Sequence, residues 1–148
     1  MLGQSDRRVF SSLESKISHA VFSVPAVKGI EFGLGFGFCD KRGSEVNDAF
    51  YIENGEIKTK TNNSGGINGG ISNSMPVLFK TAIRPTPTIS KEQQTVDFLK
   101  GENAVLKANG RHDPCIVHRA RVVLDAVTAI AVTDALITKF GTDWLGEK

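Results

Sequence analysis

The chain has 148 residues, 40% of them hydrophobic and 23% charged, with a formal net charge of +2. That size and balance predict one soluble domain large enough to bury a core, and they exclude the broad basic surface of a nucleic-acid-binding protein. With 7% aromatic residues and no alternation of basic and aromatic positions, a base-stacking platform is excluded as well.

Cys39 and Cys115 lie far apart and in no metal-ligand spacing. They read as reduced thiols of a cytoplasmic protein, with no metal site expected. The start, residues 1–8, lacks the apolar core of a secretory leader, so no export is expected.

In chain order, residues 11–24 predict an amphipathic helix with Leu13, Ile17, Ala20, Val21 and Val24 on one face. Ser11-Ser12-Leu13-Glu14 has the pattern of a capping box, His19 falls off the apolar stripe, and Pro25 ends the helix. Residues 29–39 predict a strand in which Ile30, Phe32, Leu34, Phe36 and Phe38 alternate with Glu31 and glycines. A face with so few side chains implies that something packs close to its backbone. The glycines alternate within the strand, so they are not a dinucleotide-binding loop.

Asn54-Gly55, between residues 50–53 and 56–61, predicts a two-residue hairpin turn. Residues 62–74 are glycine-rich and carry Ile67 and Ile71. They fit a loop whose backbone approaches a ligand better than a flexible linker. Residues 77–83 predict a strand running into Arg84-Pro85-Thr86-Pro87-Thr88, either a stiff strand exit or a wall presenting a cation and hydroxyls. Short strands are expected at 95–98 and 104–107. Residues 116–140 predict a long helix, apolar nearly all round in its middle. That apolar run, residues 122–137, is too short to span a membrane and carries Asp125 and Asp134, so a buried core helix is expected, one that could lie at a subunit interface.

Asn109-Gly110-Arg111-His112-Asp113-Pro114-Cys115 stands directly before that helix. It fits an anion-binding turn at a helix N-terminus or an ordinary cap supplied by Asp113.

Four segments, taken together, carry a resemblance. They are Ser23-Val24-Pro25-Ala26-Val27-Lys28-Gly29 with Glu31-Phe32-Gly33, Ser64-Gly65-Gly66-Ile67-Asn68-Gly69-Gly70-Ile71-Ser72, Arg84-Pro85-Thr86-Pro87-Thr88-Ile89, and Gly110-Arg111-His112-Asp113-Pro114-Cys115. In order and spacing they resemble the C-terminal part of chorismate synthase, from about residue 9 to the end of the long helix.

The resemblance implies an α+β fold with helices sandwiched between antiparallel sheets. Residues 1–148 would form a single domain, the FMN-binding C-terminal portion, with the N-terminal half absent. It implies a lyase of the shikimate pathway of aromatic amino acid biosynthesis. That enzyme turns 5-enolpyruvylshikimate 3-phosphate into chorismate by 1,4-elimination of phosphate, with reduced FMN and no net redox change. Flavin reduction would be intrinsic and NADP-linked, or external. The assembly implied is a cytoplasmic homotetramer without nucleic-acid or membrane partners.

By position, Pro25 and Ala26 would line the flavin site, and Gly69 would let the backbone approach FMN. Arg84, Pro85, Thr86, Pro87 and Thr88 would hold the flavin. Arg111 would contact flavin and substrate, and Asp113 would assist proton movement as the catalytic residue. Arg84 stands where the family more usually has lysine, a cation of different geometry. The two histidines proposed as the family's general acids belong to the half not present, and His19, His112 and His118 do not match them. The 148 residues therefore read as an enzyme portion inactive by itself. The alternative is a non-catalytic chain that binds flavin and assembles.

Overall fold

Ser12 decides where the first helix begins. In the structure, a computed structural model that describes residues 11–143, α1 spans Leu13–Phe22 and the Ser12 hydroxyl accepts the Ser15 N–H at 3.1 Å. The cap is thus one residue later than the expected capping box, and Glu14 does not complete one. Half-burial instead raises the Glu14 pKa by desolvation. Leu13, Ile17 and Val21 are fully buried on one face, and His19 is exposed, as the periodicity predicts. Burying each of those three side chains contributes about 1.5–3 kcal/mol. The helix stops at Phe22, ahead of Pro25.

The strand expected over 29–39 is shorter than its alternation suggested. β1 is Val27–Phe32, followed by a 3-10 turn at Gly35–Asp40. Gly33 takes a φ of +56°, a left-handed conformation that ends the extended run, and Phe36 is 81% exposed rather than on an inward face. The expected close packing is present at one point. A Cβ on Gly33 would overlap the Asn63 carbonyl oxygen.

After a one-turn α2, Gly43–Val46, the Asn54-Gly55 hairpin forms as predicted. β2, Phe50–Glu53, pairs with β3, Glu56–Thr59, and Asn54 and Gly55 have φ of +52° and +82°. The glycine-rich stretch is a miniature hairpin, β4 Ile67–Asn68 against β5 Ile71–Ser72. β6, Phe79–Ile83, pairs antiparallel with β1, setting Val27 opposite Ile83 and Phe32 opposite Phe79. The next hairpin is longer than expected, β7 Glu92–Asp97 with β8 Glu102–Lys107. Phe98 lies in its turn, and Phe98 and Leu99 are 91% and 99% exposed.

The last helix, α3, is Val117–Phe140. Its C-terminal half packs on α1, where Lys16 meets Asp134 at 2.8 Å and Ala131 and Ala135 join Leu13, Ile17 and Val21 in the core. The expectation of a buried core helix is corrected here. Val122 and Ile130 are 69% and 68% exposed, and only the two alanines are buried. α1 covers one side of a cylinder that the sequence makes apolar nearly all round. The fold is α+β, helices against antiparallel ladders, as expected. Among the described residues no helix is long and apolar enough to cross a membrane. Residues 1–8, read for a leader, and the chain end at 144–148 lie outside the described residues.

Candidate functional site

Two of the expected site segments meet at the turn after α1. Ala26 takes a φ of +72°, rare for a residue with a Cβ, and this aims its carbonyl at Arg84, whose N–H donates to it at 2.7 Å. Pro25-Ala26 and Arg84-Pro85 therefore share one end of the β1–β6 ladder. The Arg84 side chain is exposed and has no carboxylate partner among the described residues. Two residues on, the Thr86 hydroxyl oxygen is shut off from solvent without a hydrogen-bond partner. Pro85, Pro87 and Thr88 are exposed.

The base of the β7–β8 hairpin ties in the other segment. Gln93 donates through Nε2 to the Pro87 carbonyl at 3.1 Å, and Gln93 stands opposite Leu106. Two residues beyond Leu106, the Ala108 carbonyl lies 3.4 Å from His112 Nε2. The Arg-Pro-Thr-Pro segment and the His-Asp-Pro segment thus fold back onto one base. Asp113 does not cap α3, whose N-cap is Ile116 with no side-chain bond. It is gripped by Arg119, at 2.8 Å to Oδ2 and 3.2 Å to Oδ1. Arg111 is exposed and unpaired among the described residues.

Gly69 is elsewhere. The Gly70 carbonyl accepts the Leu13 N–H at 3.0 Å, satisfying one of the free amides at the start of α1, and a Cβ on Gly70 would stand 2.6 Å from that of Ser12. Pro25-Ala26 follow the other end of this 10-residue helix, about 15 Å away. The chain by itself therefore does not gather Gly69 with Ala26 and Arg84. The root of the glycine-rich segment also has its amides filled. The N–H groups of Asn63 and Ser64 both donate to Asp48, each at 2.8 Å. Gly69 faces open space beside a cleft of about 640 Å³ between the two small hairpins, lined by Phe50, Ile57, Lys58, Asn68, Ile71 and Asn73. A second, more apolar groove of about 670 Å³ separates β6 from α3, with Phe79, Ile83, Leu124 and Val132 in its walls.

Comparison with known proteins decides the family. The chorismate synthase profile matches residues 2–137. The chain belongs to the chorismate synthase family. It is 49% identical over 129 residues to the chorismate synthase of Archaeoglobus fulgidus, covering 87% of this chain and 36% of that relative. It is 47% identical over 129 residues to that of Parabacteroides distasonis, again 87% and 36%. A solved structure described as a crystal structure of chorismate synthase superposes with a TM-score of 0.69 at 33% identity, over 95% of this chain and 34% of that one. The chain thus spans about a third of the length of the chorismate synthases it matches.

Three residues that organise these chorismate synthase motifs were not legible as site residues. Arg119 holds Asp113, Gln93 holds Pro87, and Asp48 holds the root of the glycine-rich segment. Asp48 alone carried a sequence signal, an Asn-Asp pair just before a strand. Its partners lie 13 to 16 residues on, and spacing does not reveal them.

Proposed function

We propose that this chain is the FMN-binding portion of a chorismate synthase that converts 5-enolpyruvylshikimate 3-phosphate to chorismate by 1,4-elimination of phosphate. The observation that carries this reading is the backbone contact between Ala26 and Arg84, two segments that resemble the family's flavin-binding stretches. A phosphorylated, polyhydroxylated ligand fits what stands at that corner. Among the described residues, Arg84 offers an unpaired guanidinium there and Thr86 an orphaned hydroxyl, while the segment moored at the base of β7–β8 carries Arg111, a second unpaired cation. Reduced FMN, when bound, would supply electron density to the substrate as phosphate departs.

The chain's own residues would then bind and orient. Arg84 and Arg111 would offset phosphate charge, as preorganised cations do where negative charge develops. Asp113 would move a proton through Oδ1 once Arg119 yields its weaker contact, at 3.2 Å. The Asp113–Arg119 pair is well exposed, so opening it costs no more than about 1 kcal/mol. A homotetramer in the cytoplasm fits the family and the uncovered face of α3.

A second reading is favoured by that same uncovered face. On it, the chain binds flavin and assembles but turns nothing over by itself. Among the described residues, no histidine is hydrogen-bonded to Arg84, Thr86, Arg111 or Asp113, and a transition state needs its proton donors in place.

Titration of the purified chain with reduced FMN, with and without substrate, tests the first claim. A flavin spectrum unchanged at every concentration defeats it. Chorismate production by the chain alone would defeat the second reading. In an active assembly, Asp113→Asn should slow turnover far more than it weakens flavin binding, and Arg111→Ala should weaken binding itself.

A further inference from the structure

In sequence Asp48 lies outside every segment that the family resemblance marks, yet it is the most tightly engaged carboxylate among the described residues. It is 7% exposed. Its Oδ1 accepts the Thr61 hydroxyl at 2.7 Å and the Asn63 N–H at 2.8 Å, and its Oδ2 accepts the Ser64 N–H at 2.8 Å. The backbone closes the same junction, with the Lys60 N–H donating to the Ala49 carbonyl at 3.0 Å. The β2–β3 hairpin is therefore looped out from a knot whose centre is one side chain. The glycine-rich segment leaves from the far side of that knot.

From Ser64 the chain passes through Gly65 and Gly66 to Ile67, which is 3% exposed, and then presents Asn68 and Gly69. Successive amides of a turn form a cradle suited to an anion. In this chain the cradle at Asn63 and Ser64 is filled from within. An external phosphate has no claim on it.

We propose that Asp48 is a positioning residue. It clamps the root of the glycine-rich segment, sets the separation of the two hairpins that wall the 640 Å³ cleft, and so fixes where Gly69 is presented. The part of this that concerns flavin rests on the functional reading above. The clamp does not.

Asp48→Asn keeps an acceptor toward Thr61 and Asn63 but turns an amide donor toward the Ser64 N–H. Asp48→Ala removes all three bonds. Amide hydrogen exchange and reduced-FMN titration are measured on the full chain and both variants, with far-UV circular dichroism as the check on α1 and α3. Exchange at residues 63–70 is expected to rise at least tenfold in Asp48→Ala and by less in Asp48→Asn. Helical signal should be retained. Because one copy does not gather Gly69 with Ala26 and Arg84, flavin is titrated at concentrations where the chain assembles, and its affinity should fall at least tenfold in Asp48→Ala with partial recovery in Asp48→Asn.

Unchanged exchange at residues 63–70 overturns the clamp. A loosened loop with unchanged flavin affinity overturns the positioning role. Loss of helical signal in both variants also overturns the proposal, because Asp48 would then support the whole fold. If the unsubstituted chain binds no flavin, the functional reading fails and the exchange data alone decide the clamp.

Discussion

Gly33 and Gly55 make a matched pair for separating backbone strain from steric contact. Both hold a left-handed φ, +56° and +82°, and that strain alone costs an alanine about 1 kcal/mol at either site. At Gly55 an added Cβ meets nothing within 4 Å. At Gly33 it would overlap the Asn63 carbonyl oxygen and stand 2.5 Å from the Gly65 nitrogen. Both are main-chain atoms, so no side chain can swing aside. The chains have to part, which breaks the Leu34 N–H bond to Asn63 O at 2.8 Å and the Gly33 N–H bond to Leu78 O at 2.9 Å. At about 1 kcal/mol for each bond, added to the strain, Gly33→Ala should lose about 3 kcal/mol against about 1 for Gly55→Ala. Urea unfolding followed by far-UV circular dichroism measures both, provided the two variants share a slope. A loss at Gly33 no larger than that at Gly55 would refute the close crossing of β1 with the glycine-rich segment.

Other expectations follow from single features. Burial alone would raise the Asp48 pKa, but hydrogen bonds from Thr61, Ser64 and Asn63 outweigh it and hold the pKa below the ordinary carboxylate value. Its folded pKa being the lower, its contribution is present above the unfolded value of about 4. That contribution is lost as pH falls through the folded value. The stability gap between the unsubstituted chain and Asp48→Asn should therefore narrow between neutral and strongly acidic pH, and a gap that widens on acidification would reverse the sign of this argument. Among the described residues, chymotrypsin should cut first at Phe98 or Leu99, the most exposed large apolar side chains there, leaving helical signal intact. Earlier cleavage at Phe79 would contradict the fold. Replacing both Val122 and Ile130 on α3 with lysine should change stability by no more than about 0.5 kcal/mol per site while sharply reducing binding of a hydrophobic dye. A large loss of stability would mean that these residues are packed.

The elements legible in the sequence are those written locally. Asn54-Gly55 dictates its turn from two residues, and the stripe of Leu13, Ile17 and Val21 dictates the buried face of α1. The strand expected over 29–39 stops at Phe32 because alternation of apolar residues with glycine does not say where glycine turns left-handed, and Gly33 does so at once. The long helix was misjudged for a different reason. Apolar composition reports what a segment can bury, not whether the chain at hand supplies the cover. In the site, Ala26 and Arg84 lie far apart in sequence and are joined only by strand register, Val27 opposite Ile83. The resemblance flagged both, but no local pattern shows that they touch. The resemblance also sets Gly69 in that site, and within this chain the length of α1 lies between Gly69 and the Ala26–Arg84 corner.

The shared base of the β7–β8 hairpin has a consequence for how this chain opens. Pro87 hangs from Gln93 and His112 from Ala108, on either side of one antiparallel ladder. Neither segment can fray far while that ladder is closed, and both lose their mooring when it unzips. They should therefore behave as one cooperative unit in native-state exchange, sharing a single opening free energy. Opening the ladder would loosen the two cation-bearing segments together, leaving Arg84 held by Ala26 and Asp113 by Arg119, and Phe98-Leu99, at the far end of the same ladder, is the handle by which that loosening can be set.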